Sequence, residues 1–247
     1  MLLNCDLGES FGSWRMGMDA DVMPHIDLAN VACGYHAGDP VTMRRTVELA
    51  LAHGVRLGAH PAYPDLEGFG RRSMQLSAEE LNACLLYQIA ALDGMAASAG
   101  GSIDYVKPHG ALYTDMMLDS DVRATIMAAV AAYHRPLKLM LLATAEQASH
   151  REAAAEHSLE LLFEAFADRC YDHDGYLISR RRPGAVHSRE RMLGQVAGLL
   201  ESGCVETASG KTLSLQADTL CVHGDNPEGV AAIREIRALI QGRRAAC

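Results

Sequence analysis

Leu2-Leu3-Asn4-Cys5-Asp6-Leu7-Gly8-Glu9 is the stretch on which the fold turns. A short apolar run passes straight into two acids that flank a leucine and a glycine. An open sheet of the dinucleotide-binding type would follow its first strand with G-x-G-x-x-G, whose glycines let a pyrophosphate approach a helix N-terminus. That fingerprint is missing here. Six further apolar runs follow, at 26–33, 55–59, 103–106, 137–143, 159–167 and 219–222. Amphipathic patterns between them predict helices at 41–53, 79–99, 120–134, 145–157, 188–202 and 228–241. Asp39-Pro40 and Asn226-Pro227 each put a capping side chain before a proline at the first helical position. Ser77 with Glu80, and Thr144 with Gln147, have the spacing of capping boxes. Seven strands alternating with helices in 247 residues require parallel pairing and right-handed crossovers. Either an open doubly wound sheet or a closed barrel satisfies that requirement.

The polar residues favour the barrel. Strand one ends at Asp6 and Glu9, strand two at His36 and Asp39, and strand three at His60. Strand four ends at Lys107 and His109, strand six at Glu164 and Asp168, and strand seven at His223 and Asp225. Only strand five, ending near Ala143-Thr144, breaks the rule. In an α/β barrel these ends converge on the face where active sites form.

Plainer roles compete at individual positions. Asp39 and Asn226 also suit helix capping, and a single strand-end histidine is often a hydrogen-bonded structural group. His25, His53, His134, His150 and His157 fall in helical or boundary positions and read as solvent-facing. Lys107, set in a strand before Pro108 and His109, must pair with an acid or lower its pKa. Asp6, His60 and His109 form a candidate trio for a divalent metal, although no H-E-x-x-H is present. Cys33 with His36 as base is a weak nucleophile candidate, because its apolar flank favours burial.

Ser209-Gly210-Lys211-Thr212 imitates the end of a phosphate-binding loop. The full motif needs glycine where Val205 stands, and the alternation of Leu213, Leu215 and Ala217 is that of a strand. Residues 205–217 read as a β-hairpin turning at Ser209-Gly210, so the chain carries no ATP site of its own. With 22 basic and 31 acidic residues, a net charge of -9 argues against nucleic acid and anionic membranes as partners. Small anions can still bind in a locally positive pocket. The apolar runs are far shorter than the ~20 residues of a membrane span. Asp6 interrupts any signal-peptide core, and seven scattered cysteines without a C-x-x-C pair read as reduced thiols. Together these features read as a cytoplasmic protein.

The segments NCDLGESFG (4–12), NVACGYHAGDP (30–40), GAHPAYPDLEGFGRR (58–72), VKPHGALY (106–113), EAFADR (164–169), DG (174–175), RRPGA (181–185) and CVHGDNP (221–227) resemble the LamB/YcsF family, to which the A subunits of 5-oxoprolinase belong. The likeness spans essentially the whole chain. Met18, Tyr35 and Ala62 depart from the usual pattern, and none is a strand-end acid or histidine. The resemblance implies one seven-stranded β/α barrel over residues 1–247, similar to polysaccharide deacetylases. It implies a hydrolase that opens 5-oxoproline (pyroglutamate) to L-glutamate with ATP hydrolysis, alongside subunits B and C. Carried onto this chain, the site would be Asp6, Glu9, His36, His60, Lys107, His109, Asp168, His223 and Asp225.

Opening a lactam requires an activated water, a stabiliser for the developing oxyanion and an acid for the departing amine. Lys107 or a metal suits the second role, Asp6 or Asp225 suits the base, and His109 suits the acid. ATP would act through a partner subunit. Two alternatives stand beside this reading: a metal-dependent deacetylase of an N-acetyl sugar, and a non-catalytic substrate-binding subunit.

Overall fold

Inside a closed parallel barrel, strand side chains alternate between the interior and the surrounding helices, and this chain divides its residues accordingly. A computed structural model describes residues 1–223 and 227–244. Seven strands close the barrel: β1 (Leu2–Leu7), β2 (Leu28–Ala32), β3 (Arg56–His60), β4 (Ile103–Val106), β5 (Lys138–Leu142), β6 (Leu161–Phe166) and β9 (Thr219–His223). All pairs are parallel, and β9 lies between β6 and β1 to complete the ring. The remaining two strands, β7 (Cys204–Glu206) and β8 (Thr212–Ser214), form an antiparallel hairpin outside the barrel, as the sequence predicts. Gly210 takes the left-handed φ of +76° that its turn demands.

Among the described residues eight α-helices follow the chain, with one 3-10 turn at Met23–His25: α1 (Asp19–Val22), α2 (Pro40–Ala52), α3 (Ala78–Ser98), α4 (Gly110–Leu118), α5 (Ser120–Ala131), α6 (Gln147–Ala155), α7 (Arg189–Ser202) and α8 (Pro227–Arg244). None of the described helices is long and apolar enough to cross a membrane. Asp39 caps α2 by accepting from the Val41 and Thr42 N–H groups, and Ser77 and Glu80 form the expected reciprocal box at α3. The Thr144–Gln147 box does not form. Thr144 Oγ1 accepts instead from the Glu146 N–H, and Gln147 turns to the Gln216 carbonyl. Asn226 lies outside the described residues.

The outward residues Leu3, Cys5, Leu7, Val31, Leu57 and Ala59 pack with the apolar faces of the helices in one large core. Leu28, Tyr105 and Met140, with Leu2 and Leu162, form a separate small cluster. The strand alternation assigns it to the barrel interior, as a plug near the strands' N-terminal ends. Above this plug the inward positions turn polar: Asn4, Asn30 and Thr219 first, then Asp6, His60, Lys107 and Glu164. His150 departs from expectation. It is buried, because α6 turns it with Ala154, one helical turn on, to its inner face. His53, His134 and His157 are exposed, and His25 is half-buried.

Candidate active site

A chain of hydrogen bonds fixes the barrel's polar layer from below. Asn4 Nδ2 donates to Thr219 Oγ1 at 2.9 Å, and Asn30 Nδ2 lies 2.8 Å from Asn4 Oδ1 and 2.7 Å from Asp6 Oδ1. The Tyr105 hydroxyl donates to Asn30 Oδ1 at 2.6 Å, reaching across the interior. Glycine at position 58 makes this reach feasible, since a Cβ there would lie 2.2 Å from the Tyr105 ring.

Lys107 sits on this layer, 2% exposed. Its Nζ donates to Asp6 Oδ1 at 2.9 Å and lies 3.1 Å from Glu164 Oε2, in charge contact. Burial alone would lower the Lys107 pKa, but Asp6, Cys221 and Glu164 outweigh it and hold the ammonium well above its usual range. Burial likewise pushes Asp6 up, while Lys107, then His60 and His223, bring it well below the usual carboxylate range. Of the two fates open to a strand-embedded lysine, pairing with acids is the one taken.

Three histidines and Glu9 gather beside Asp6. His60 Nδ1 lies 2.7 Å from the Lys107 carbonyl, and His109 Nε2 lies 2.9 Å from the Phe69 carbonyl. A carbonyl only accepts, so both nitrogens carry the proton. The remaining nitrogens, His60 Nε2 and His109 Nδ1, face each other at 2.9 Å. Asp6 Oδ2 lies 3.4 Å from the first and Glu9 Oε1 3.5 Å from the second. His36 stacks flat on His109 at 3.7 Å between ring centres and directs Nε2 at Glu9 Oε1, 3.3 Å away. Burial, then the neighbouring histidines, hold the pKa of His109 well below its usual value, and burial, then His60, does the same to His36. Gly70 (φ +63°) allows this packing: a Cβ there would stand 2.9 Å from both the His109 ring and His36 Cβ.

On the opposite side, His223 Nδ1 donates to Asp168 at 2.9 Å, and His223 Nε2 lies 3.9 Å from Asp6 Oδ2. Burial raises Asp168, but His223 more than offsets it and the carboxyl is lowered to about 2. A cavity of about 620 Å³ opens above these groups, lined by Asp6, Glu9, His60, Lys107, His109 and His223 among others. His36 and Asp168 stand directly behind it, fully buried. Asp225 lies outside the described residues, and Asp39 serves as the cap of α2.

Glu9, His36, His60 and His109 place donor atoms within 4.8 Å of one another, a set able to hold a metal ion. The separations of 2.9 Å between His60 and His109 and 3.5 Å between His109 and Glu9 suit one ion, since donors about 2.1 Å from a tetrahedral centre stand roughly 3.4 Å apart, and Asp6 Oδ2 approaches this set at 3.4 Å from His60 Nε2. Metal-binding histidines characteristically donate their other N–H to a backbone carbonyl, as His60 and His109 both do. His36 fits less well, because its ring plane runs parallel to that of His109. The sequence-derived trio of Asp6, His60 and His109 therefore shares two members with this cluster, and Glu9 joins them.

The LamB/YcsF family matches residues 1–246. The chain belongs to that family. Curated relatives include a 5-oxoprolinase A subunit of Pseudomonas putida, 58% identical over 98% of this chain and 94% of the relative. The 5-oxoprolinase A subunit of Chromohalobacter salexigens is 55% identical over 98% and 97%. Among solved structures, a lactam utilization protein from Thermus thermophilus superposes with a TM-score of 0.89 at 38% identity, covering 98% of this chain and 96% of that one. In this LamB/YcsF barrel, sequence reasoning passed over Asn4, Asn30 and Tyr105, which align the acids, and Arg169, which lines the cavity. Strict alternation from Asp6 and Lys107 back along β1 and β4 was the available signal for Asn4 and Tyr105.

Proposed function

We propose that this chain is the A subunit of a 5-oxoprolinase, a cyclic-amide hydrolase that converts 5-oxoproline to L-glutamate. What carries the reading is the hydrogen-bonded Asp168–His223 pair set beside Asp6 at the base of the cavity, in a chain 58% identical to a 5-oxoprolinase A subunit. Asp168 fixes the His223 tautomer, leaving Nε2 to take a proton from water and return it to the departing lactam nitrogen. This role passes from His109 to His223, because both His109 nitrogens are already engaged within the cluster. Lys107 keeps Asp6 ionised, so that Asp6 orients the attacking water. A divalent ion held by His60, His109 and Glu9 would supply Lewis-acid polarisation of the lactam carbonyl.

ATP hydrolysis is assigned to partner subunits B and C, since Lys211 sits on a hairpin rather than a phosphate loop. The test is ATP-dependent glutamate release by the chain alone and by the reconstituted mixture. Release only in the mixture supports the reading. Appreciable ATP turnover by the isolated chain contradicts it, and a chelator-sensitive, ATP-independent deacetylation of an N-acetyl sugar would replace it.

A further inference from the structure

In a protein of net charge -9, four arginines line the same cavity as the acids: Arg71, Arg169, Arg180 and Arg181. Arg169 is set apart from the others by burial, at 7% exposure. It follows Asp168 in the segment after β6, and that segment is tightly held. Gln195 Nε2 on α7 donates to the carbonyls of Phe166 and Arg169 at 2.7 and 2.9 Å, and the His187 N–H donates to the Asp168 carbonyl. Arg169 Nη2 donates to the Ile178 carbonyl at 2.6 Å, which fixes the guanidinium in place. Its buried Nε has no hydrogen-bond partner. Leaving a buried guanidinium N–H unmatched is unfavourable; the adjacent Asp168 carboxylate attracts Arg169 by charge but takes its hydrogen bond from His223. Burial and the nearby Arg180 lower the Arg169 pKa to about 10, which keeps it cationic at neutral pH.

We infer that Arg169, supported by Arg180 at the rim, forms a preorganised subsite for the carboxylate of the substrate. A guanidinium presents a planar fork matched to a carboxylate, and one held by the backbone loses little freedom on binding. The position suits the chemistry. In 5-oxoproline the carbon bearing the carboxylate is bonded to the lactam nitrogen. An anion held at Arg169 therefore keeps that nitrogen near His223, which the preceding residue, Asp168, orients. Charge at this subsite would select an acidic lactam over a neutral one. The assignment of the ligand rests on the function proposed above; the anion subsite itself does not.

Binding to the full-length chain is measured by calorimetry for 5-oxoproline, its neutral carboxamide, and inorganic phosphate, using wild type, Arg169→Gln and Arg180→Gln. The wild type should prefer 5-oxoproline to the carboxamide by about 10- to 100-fold, the scale of hydrogen bonds to a charged group. Arg169→Gln should erase most of that preference while leaving carboxamide affinity nearly unchanged, and Arg180→Gln should weaken it less. Should Arg169→Gln fail to fold, Arg180→Gln and competition by phosphate carry the test. Unchanged preference in the folded arginine variants overturns the subsite. If the wild type binds neither lactam, the proposed function fails, whereas phosphate binding lost on arginine substitution still supports an anion subsite. Phosphate binding without any carboxylate preference overturns the carboxylate assignment.

Discussion

His60 Nε2 and His109 Nδ1 face each other at 2.9 Å, while the opposite nitrogen of each ring donates to a backbone carbonyl. In the neutral rings both facing atoms are lone pairs, and two lone pairs at this distance repel unless a proton is shared between them or a metal ion lies beside them. With Glu9 3.5 Å from His109 Nδ1, the group is able to hold a metal ion, the role proposed for it above. The chain stripped by chelator and dialysis should take up about one equivalent of Zn²⁺ or Co²⁺ and melt at higher temperature when loaded. His60→Ala and His109→Ala should each abolish both effects. A chain that binds neither ion above background contradicts the assignment.

Lys107 has little room to act on substrate, because its ammonium is committed to Asp6 and Glu164. Replacing it with methionine leaves two buried acids without their cation. The expected loss is about 3–5 kcal/mol of stability, with turnover in the full complex falling alongside. Denaturant unfolding checks this. A Lys107→Met variant that melts normally yet loses more than about 100-fold in turnover would instead make Lys107 an oxyanion stabiliser.

Acid should unfold the protein within a defined window. The folded pKa of Asp168 is about 2, against an unfolded value near 3.9. A depressed carboxyl gives stability that is fully present above the unfolded pKa and is lost as pH falls through the folded one. Asp6 is lowered in the same direction. Stability should therefore fall between about pH 4 and pH 2, with Asp168 contributing about 2–3 kcal/mol of the change. Asp168→Asn should flatten this part of the pH–stability curve. An unaltered curve would show that the Asp168–His223 pair does not form as described.

The Gly58–Tyr105 contact is equally testable. Gly58→Ala places a methyl group 2.2 Å from the Tyr105 ring and should destabilise by about 1–3 kcal/mol. Combining it with Tyr105→Leu should cost less than the two changes summed, since the clash is removed. Strict additivity would mean that the ring does not cross the barrel at Gly58.

The sequence disclosed the barrel because its polar residues recur where apolar runs stop, and a strand end is a local feature. Asp6, His60, Lys107, His109 and His223 were legible for that reason. Asn4, Asn30 and Tyr105 were not, because each lies within an apolar run, where inward and outward positions differ only by parity. Helix α4 was missed because Ala111, Leu112, Tyr113, Met116 and Met117 are all buried, leaving little polar face to reveal a helical period. The proposal of His223 rather than His109 as the proton carrier depends on hydrogen-bond partners from distant strands. So does the burial of Arg169 by a segment that Gln195 ties down from α7.

The reaction proposed for this cavity turns on Asp6, which Lys107 and Asn30 hold at Oδ1 and which presents Oδ2 to His60 and His223. The most direct measurement is glutamate formation from 5-oxoproline and ATP by the three-subunit mixture, with wild-type chain, with Asp6→Asn, and with this chain omitted. The wild-type mixture should turn over, omission should abolish the reaction, and a folded Asp6→Asn chain should reduce it by about 100-fold or more. Near-normal rates with Asp6→Asn, or glutamate release without the chain, would contradict the assignment of lactam opening to this cavity.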